Sequence, residues 1–588
     1  MRITMKLKYL FLSGLLGFTA CDDVINLKPL DSFTDESYWT SVDDLRGYAN
    51  RFYGNLSSPS SSGDSQSDNR VPSSYDAWLY NEYVVDQAGD WNWTNVRNLN
   101  FFMARYQRVS GTEADINAQV AVIRFFRALD YFGKIKSYGD VPWYERDLSD
   151  TDEEELFKPR DSRDLVLGKV IEDLEFAIQW LPEKNAAVEG ALHKDAARTE
   201  LSRVCLYYGT FKKYHNVGGT PSSQELLQKA AANALAVMTT GRYEIVKGAD
   251  AGCGQKAFAD YPLYYQNQFV QEDLSANKEA ILYRSYVDGT LMHGLGRNQG
   301  MGFSKDFAES FLCKDGKPIA ISPLYEGDET LDQEMIGRDP RMYNMIDNVH
   351  RPFTIQLDGT VEVNESVNDP TASAPNVSAS GSVTGYANVK YSSADPTQWV
   401  ANASTFDWFV YRYAEVLLNY AEAKYELGEM TQDVLDQTIN QLRDRVEMPH
   451  LTMEVGFTDP NWPDYGYSVA PLLHEIRRER RIELAAEGFR YDDLIRWKGV
   501  KLLSNPKTVL GMRVTDKVKA LYVDGTFGGE TGRDMVEYEG KTYVRPYKKD
   551  LHDAGRVWSD NDKRFLNPIS KNVMLINPNI TQNPGWGE

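Results

Sequence analysis

The 588-residue sequence predicts a mainly α-helical fold of helical pairs, with long inserted loops and a few short strands. Three observations carry this. Apolar residues recur at three- and four-residue spacing through long windows, as one buried helix face requires. Those windows open at Ser or charged residues and close at Gly or Pro. Between them lie polar stretches rich in Ser, Gly, Asn and Asp that have no periodicity.

The elements follow in chain order. "SVDDLRGYANRFYGNL" (41–56) starts at a Ser cap, and "NAQVAVIRFFRALDYFGKIKSYG" (117–139) is a long helix that closes near Gly139. "RDSRDLVLGKVIEDLEFAIQWLP" (160–182) carries an apolar stripe of Leu167, Ile171, Leu174 and Ile178 and stops at Pro182. Segments 194–211 and 223–243 form an adjacent helical pair, and 412–449 forms another, broken at Gly428 with Pro449 beyond its end. Ala414 and Ala421 share a face with Leu418 and Tyr425, so a neighbouring helix can approach closely there. The pairs are similar to divergent tetratricopeptide-like repeats with irregular spacing; a generic helical bundle is the alternative. Segments 57–74 and 367–385 are Ser-rich loops, and 519–547 reads as short strands joined by Gly turns. The N-terminal region is placed at 21–245 and the C-terminal region, with its ligand-facing loops, at 246–588.

Residues 1–20 are read as a signal peptide: Arg2, Lys6 and Lys8 precede a short apolar run from Tyr9 to Phe18. That run is about half the length of a membrane-spanning helix. "GFTAC" places Thr19 and Ala20 before Cys21 and resembles a bacterial lipobox, which makes Cys21 the lipidation site and the lipid the membrane anchor. Ordinary secretion is the alternative. The net charge of −21 argues against nucleic-acid binding, which draws its affinity from clustered Lys and Arg. Cys205 sits in an apolar helical context, whereas Cys253 and Cys313 lie in turn-rich segments where pairing stays open. No CxxC or HExxH occurs, so no metal site is expected.

"ERRIELAAEGFRYDDLIRW" (479–497) interleaves Glu and Asp with Arg. On a helical wheel Glu479, Arg480, Glu483 and Glu487 fall on the same arc as Leu472, Leu473, Ile476 and Leu484, whereas Arg477, Arg478 and Arg481 point elsewhere. Charges on a core-facing stripe require partners. Arg412, Arg480, Arg490 and Arg496 are the expected ones. A nearby Arg lowers a carboxylate pKa, the wrong direction for a general acid, so the cluster reads as scaffold and not as a catalytic pair.

That segment, with "RYAEVLLNYAEA", "INQLRDRV" and the C-terminal "NPNITQNPGW", resembles the SusD/RagB family. Upstream, "FFRALDYF", "YGDVPWYERD", "IEDLEFAIQWLP", "EAILYRSY" and "DGKPI" follow the family pattern in order across the mature chain. The resemblance implies a non-enzymatic, surface-exposed, lipid-anchored outer-membrane protein of polysaccharide utilisation. It would capture oligosaccharides and pass them to a SusC-like TonB-dependent transporter that its tetratricopeptide-like pairs face. Peptide cargo, as on the RagB side, is the alternative, and a surface glycoside hydrolase a remote one. No cofactor is implied; the acidic loop "SGDSQSDN" (62–69) either holds calcium or is solvated.

Sugars present apolar C–H faces and hydroxyl rims, so a site needs flat aromatics beside amide, carboxylate or Arg groups. Segment 73–98 supplies Tyr75, Trp78, Tyr80 and Trp91 with Asp76, Asn81, Asp90 and Asn92. The family's helix-start Trp falls at Trp93, which is therefore structural. The Gly-rich loop 293–303 adds Arg297 and Asn298, with Gln299 beside them. Trp399, Trp462, Tyr465 and Tyr467 form weaker sets, and the stretch around Trp462 could equally pack on the transporter.

Overall fold

The computed structural model describes residues 35–247, 264–295, 301–347, 352–355, 360–363, 382–546 and 555–587, apart from positions 61, 73, 90, 521, 523, 524 and 529–533. The leader, Cys21, Asp90, Cys253, Arg297, Asn298 and Gln299 lie outside the described residues. The fold is mainly helical, as expected. Its main helices are α1 (Val42–Asn50), α2 (Thr94–Met103), α3 (Glu113–Tyr138), α4 (Arg163–Trp180), α5 (Lys194–His215), α6 (Ser223–Met238) and α7 (Tyr413–Glu426). They are followed by α8 (Gln432–Gln437), α9 (Ile439–Arg445), α10 (Pro471–Glu483) and α11 (Arg490–Arg496).

The local signals act where they stand. Ser41 closes a capping box with Asp44, and Ser162 and Ser222 cap α4 and α6 by accepting from Leu165 and Glu225 backbone N–H groups. Gly139 ends α3 with a φ of 74°, which glycine adopts freely. Helix α3 packs on α4, α5 on α6, and α7 on α6 and α10. At the α5–α6 contact a Cβ on Gly209 would meet Leu227 at 2.9 Å, so the close approach depends on glycine. Ala414, Leu418 and Ala421 are buried, as their shared face predicts.

The expected pair over 412–449 differs from the structure at both ends. Residues Trp408–Arg412 form a strand, and the second half divides into α8 and α9 at Thr438, whose φ of −130° and ψ of −90° are not helical. The strands pair two by two and antiparallel: β1 (Arg70–Val71) with β3 (Gly302–Phe303), β2 (Ala280–Arg284) with β6 (Trp408–Arg412), β4 (Pro352–Ile355) with β5 (Val361–Val363), and β7 (Asp534–Tyr538) with β8 (Lys541–Arg545). The β7–β8 hairpin turns through Glu539 and Gly540, both with positive φ, where the sequence placed Gly turns.

One apolar cluster runs from Trp39 through α2–α7 to Trp586, so residues of both 21–245 and 246–588 share it. A second surrounds Tyr265, Phe303, Phe307 and Tyr386. Cys205 and Cys313 are buried free thiols. Among the described residues no helix is long and apolar enough to cross a membrane, and no group of three or more His, Cys, Asp or Glu is placed to hold a metal ion.

Candidate functional site

The charged segment forms the frame of the site. Helix α10 is buried on every side: Arg477, Arg478 and Arg481, which the wheel turns away from the apolar arc, are as enclosed as Glu479 and Glu483. Glu483 accepts from Arg412 at 2.8 Å and from Arg445 at 2.5 Å, with Arg341 at 3.2 Å. Burial alone would raise this carboxyl; Arg445, Arg412 and Arg341 overcome it and hold it well below the usual range. Glu487, beyond the helix end, takes two guanidinium bonds from Arg412 and one from Lys390. Of the four expected partners only Arg412 holds a Glu of the segment. Arg480 bonds Asp493 and Asn419, Arg496 bonds Glu422 and Asp493, and Arg490 makes two 2.8 Å bonds to Asp68. The scaffold reading holds, with partners drawn from more distant elements.

The Ser-rich loop is tied to this frame. Asp64 accepts from the backbone N–H of Ala486 at 2.7 Å and of Arg490 at 3.2 Å, and Asp68 pairs with Arg490. A Cβ on Gly63 would stand 2.2 Å from the Ala486 carbonyl oxygen, so only glycine passes there. The aspartates of 62–69 are therefore buried and not solvated: Asp68 is paired with Arg490, and Asp64 accepts from backbone N–H groups.

Three adjoining cavities, of about 420, 250 and 400 Å³, surround the start of α11. The first shares Glu487, Gly488 and Phe489 with the second, and Gln66 and Tyr491 with the third. Ser57, Ser58, Ser60 and residues 62–66 line the first, together with Tyr391, Trp408 and Phe409. Trp408 is half-buried, with its ring 4.8 Å from that of Tyr391. Glu415 is held by two bonds from Arg203, at 2.6 and 2.7 Å, and Glu487 by Arg412. Asp407 differs: it accepts two backbone N–H groups, from Leu274 and Tyr286 at 3.0 Å each, and burial pushes its carboxyl up to about 6.

Of the residues expected to contact ligand, Asp76 and Trp78 line the third cavity. Trp78 is only 7 % exposed; its indole N–H donates to the Tyr491 hydroxyl at 3.0 Å, and its ring stacks on Trp586 at 5.9 Å. The ring thus packs into the frame and offers no open platform. Tyr80 is buried and its ring lies 4.8 Å from that of Tyr75. Trp91 is half-buried against Tyr138 and Trp93, and Asn92 accepts from the Thr94 N–H. Asn81 is exposed with a φ of 61°. Trp93 stands at the start of α2, packed on Tyr131 and Tyr144, as the family pattern implies. Sequence reasoning passed over Tyr391, Trp408 and Phe409. "DWFVY" reads as an apolar strand, and nothing local marks which of its faces lines a cavity.

A helical frame whose loops wall polar, aromatic-sided clefts offers places for a ligand. The SusD family model matches residues 270–586, and the chain belongs to the SusD family. SusD-like protein P2 of Formosa agariphila is 22 % identical over 515 residues, covering 84 % of this chain and 91 % of that protein. Among solved structures, a SusD-like protein of Bacteroides fragilis NCTC 9343 superposes with a TM-score of 0.68 at 22 % identity, over 95 % of this chain and 100 % of its own. A SusD-like carbohydrate-binding protein of the same organism superposes with a TM-score of 0.67 at 23 % identity, over 92 % of this chain and all of its own. At these identities the superpositions establish the fold alone.

Proposed function

We propose that the chain is a cell-surface glycan-binding lipoprotein that takes an oligosaccharide into the cleft around α11 and delivers it to a SusC-like TonB-dependent outer-membrane transporter. The observation that carries this reading is the construction of the first cavity: the half-buried rings of Trp408 and Phe409 line it together with serines of the Ser-rich loop and Gln66. C–H faces of a sugar stack on such rings, and hydroxyl rims bond to such walls. Family membership and the carbohydrate-binding description of a solved relative support glycan over peptide cargo.

The arginine pairing of Glu415 and Glu487 supports binding without cleavage. Glycoside hydrolysis needs one carboxyl that gives up a proton and a second that is free to act. Glu415 is held by two bonds from Arg203, and Arg412 favours the ionised form of Glu487. The basic leader, the lipobox-like "GFTAC" and Cys21 support a lipid anchor at the outer membrane. The test is calorimetry of the purified chain against glycan and peptide panels, with product analysis. Saturable binding of one glycan class without products, weakened by Trp408→Ala, is expected. Peptide-only binding or product release would overturn the reading.

A further inference from the structure

We infer that the glycan taken by the cleft around α11 is a branched oligosaccharide, with its branching unit at the start of α11 and its arms in three separate cavities. This deepens the glycan-binding reading above and rests on it.

The three cavities do not stand in a row. The first shares Arg203 and residues 487–489 with the second, and Gln66 and Tyr491 with the third. The second and third share Lys136, Tyr207 and Asp492. Each cavity therefore borders both others, whereas in a row the outer two would have no residue in common. Five of the shared residues fall between 487 and 492, so the cavities open around one short stretch of chain. That stretch is reachable from solvent: Gly488 and Gln66 are exposed, and Glu487, Phe489, Tyr491 and Asp492 are half-buried. A linear oligosaccharide fills two such cavities and reaches the third only by doubling back. A sugar unit linked at three positions sends one arm into each.

Each cavity offers a sugar both an aromatic ring and polar groups. In the first, Trp408 and Phe409 accompany Gln66 and the serines. In the third, the half-buried rings of Tyr83 and Tyr138 accompany Asp76 and Asn567. In the second, the half-buried Phe489 ring accompanies an ion pair, in which Lys136 of α3 donates to Asp492 of α11 at 2.5 Å. The two side chains are 25 % and 34 % exposed, and the other Asp492 carboxylate oxygen accepts no hydrogen bond among the described residues. An ammonium group with N–H to spare beside an open carboxylate oxygen suits two neighbouring hydroxyls, one accepting and one donating. Volumes of about 420, 250 and 400 Å³ fall within or close to the range of about 300–1,000 Å³ that holds a drug-sized ligand, so each cavity has room for a sugar unit of its own.

The test is calorimetry of the full purified chain with matched linear and branched oligosaccharides. Cellotetraose is set against its xylosylated form, xylotetraose against its arabinosylated form, and laminaritetraose and maltotetraose against isomers carrying one unit as a 6-linked branch. In the pair that binds, the branched member is expected to bind at least about tenfold more tightly. Trp408→Ala, Tyr83→Ala and Asp492→Asn, each checked for an unchanged thermal transition, should each weaken the branched ligand, whereas a linear chain responds to two of them at most. Equal or tighter binding of the linear member, or a branched ligand indifferent to Tyr83→Ala or Asp492→Asn, would overturn the inference; where a variant does not fold, the comparison on the unaltered chain decides. Preference for a linear glycan fails this inference and leaves the glycan-binding reading standing, whereas no binding in any pair fails that reading and this inference with it.

Discussion

Helices α4 and α10 are both packed into the frame, but opposite physics holds them there. Helix α4 buries Val166, Leu167, Val170, Ile171, Leu174 and Ala177 on one face and leaves Leu165, Glu172 and Glu175 toward solvent. Its burial is mainly hydrophobic and scales with apolar area; Asp173, paired with Arg124 and Arg127, is the one buried charge on it. Helix α10 buries every residue from Glu475 to Glu483, most of them charged. Each ion there needs a counter-ion at a set distance, and the counter-ions come from β6, α9, Arg341 and the Ser-rich loop. An apolar stripe glues neighbours together. A buried charge network selects them, and in this chain it fixes the loop that walls the candidate cleft.

Substitutions break or sharpen that contrast. Glu483→Gln leaves Arg445, Arg412 and Arg341 without their shared carboxylate and is expected to cost about 3–5 kcal/mol in denaturant unfolding. Leu174→Ala, which empties part of the α4 face, should cost about 2–5 kcal/mol. If the first costs clearly less than the second, the network is not what secures α10.

Acid should separate the two regions as well. Burial raises and arginine lowers the carboxyls of Glu483 and Glu422, and the net result lies below the ordinary Glu value of 4.5, at about 2 for Glu422. A lowered folded pKa contributes stability that is complete above the unfolded value and is lost as pH falls through the folded one. Thermal stability should therefore decline below pH 4.5, and Glu483→Gln should flatten that decline; an unchanged slope would contradict the pairing.

Gly63→Ala forces a Cβ against the Ala486 carbonyl and is expected to cost about 1–3 kcal/mol. It should weaken glycan binding at the α11 cleft more than Leu174→Ala does, because it displaces the wall itself. The smallest expected effect concerns Asp407, raised to about 6 by burial. Its carboxylate form accepts sugar hydroxyls better than the acid form. Glycan affinity should fall as pH drops through 6, and Asp407→Asn should remove that dependence. The sign for folding is reversed: a raised folded pKa makes the ionised form destabilising, so this group adds stability as pH falls from above 6 towards 3.8.

Much of the frame was legible in the sequence because its signals are local. Ser41, Ser162 and Ser222 open helices where they stand, Gly139 closes one, and the stripe of Leu167, Ile171 and Leu174 is the buried face of α4. The candidate site was far less legible. Trp78 shows the reason: an aromatic in a polar stretch looks available until Trp586, more than 500 residues away, stacks on it. Trp408 shows the converse, since its exposure depends on how β6 meets β2 and on where residues 62–66 come to rest.

The sequence by itself determined a helical, acidic chain, its principal helix boundaries, a charge cluster that had to be structural and a family resemblance spread over its length. Only the tertiary structure decided which arginine meets which carboxylate, that acidic loop 62–69 is buried, and which aromatic rings border open space. Helix signals act over a turn or two of chain and can be read in place, whereas ion pairing and ring exposure depend on contacts between segments hundreds of residues apart.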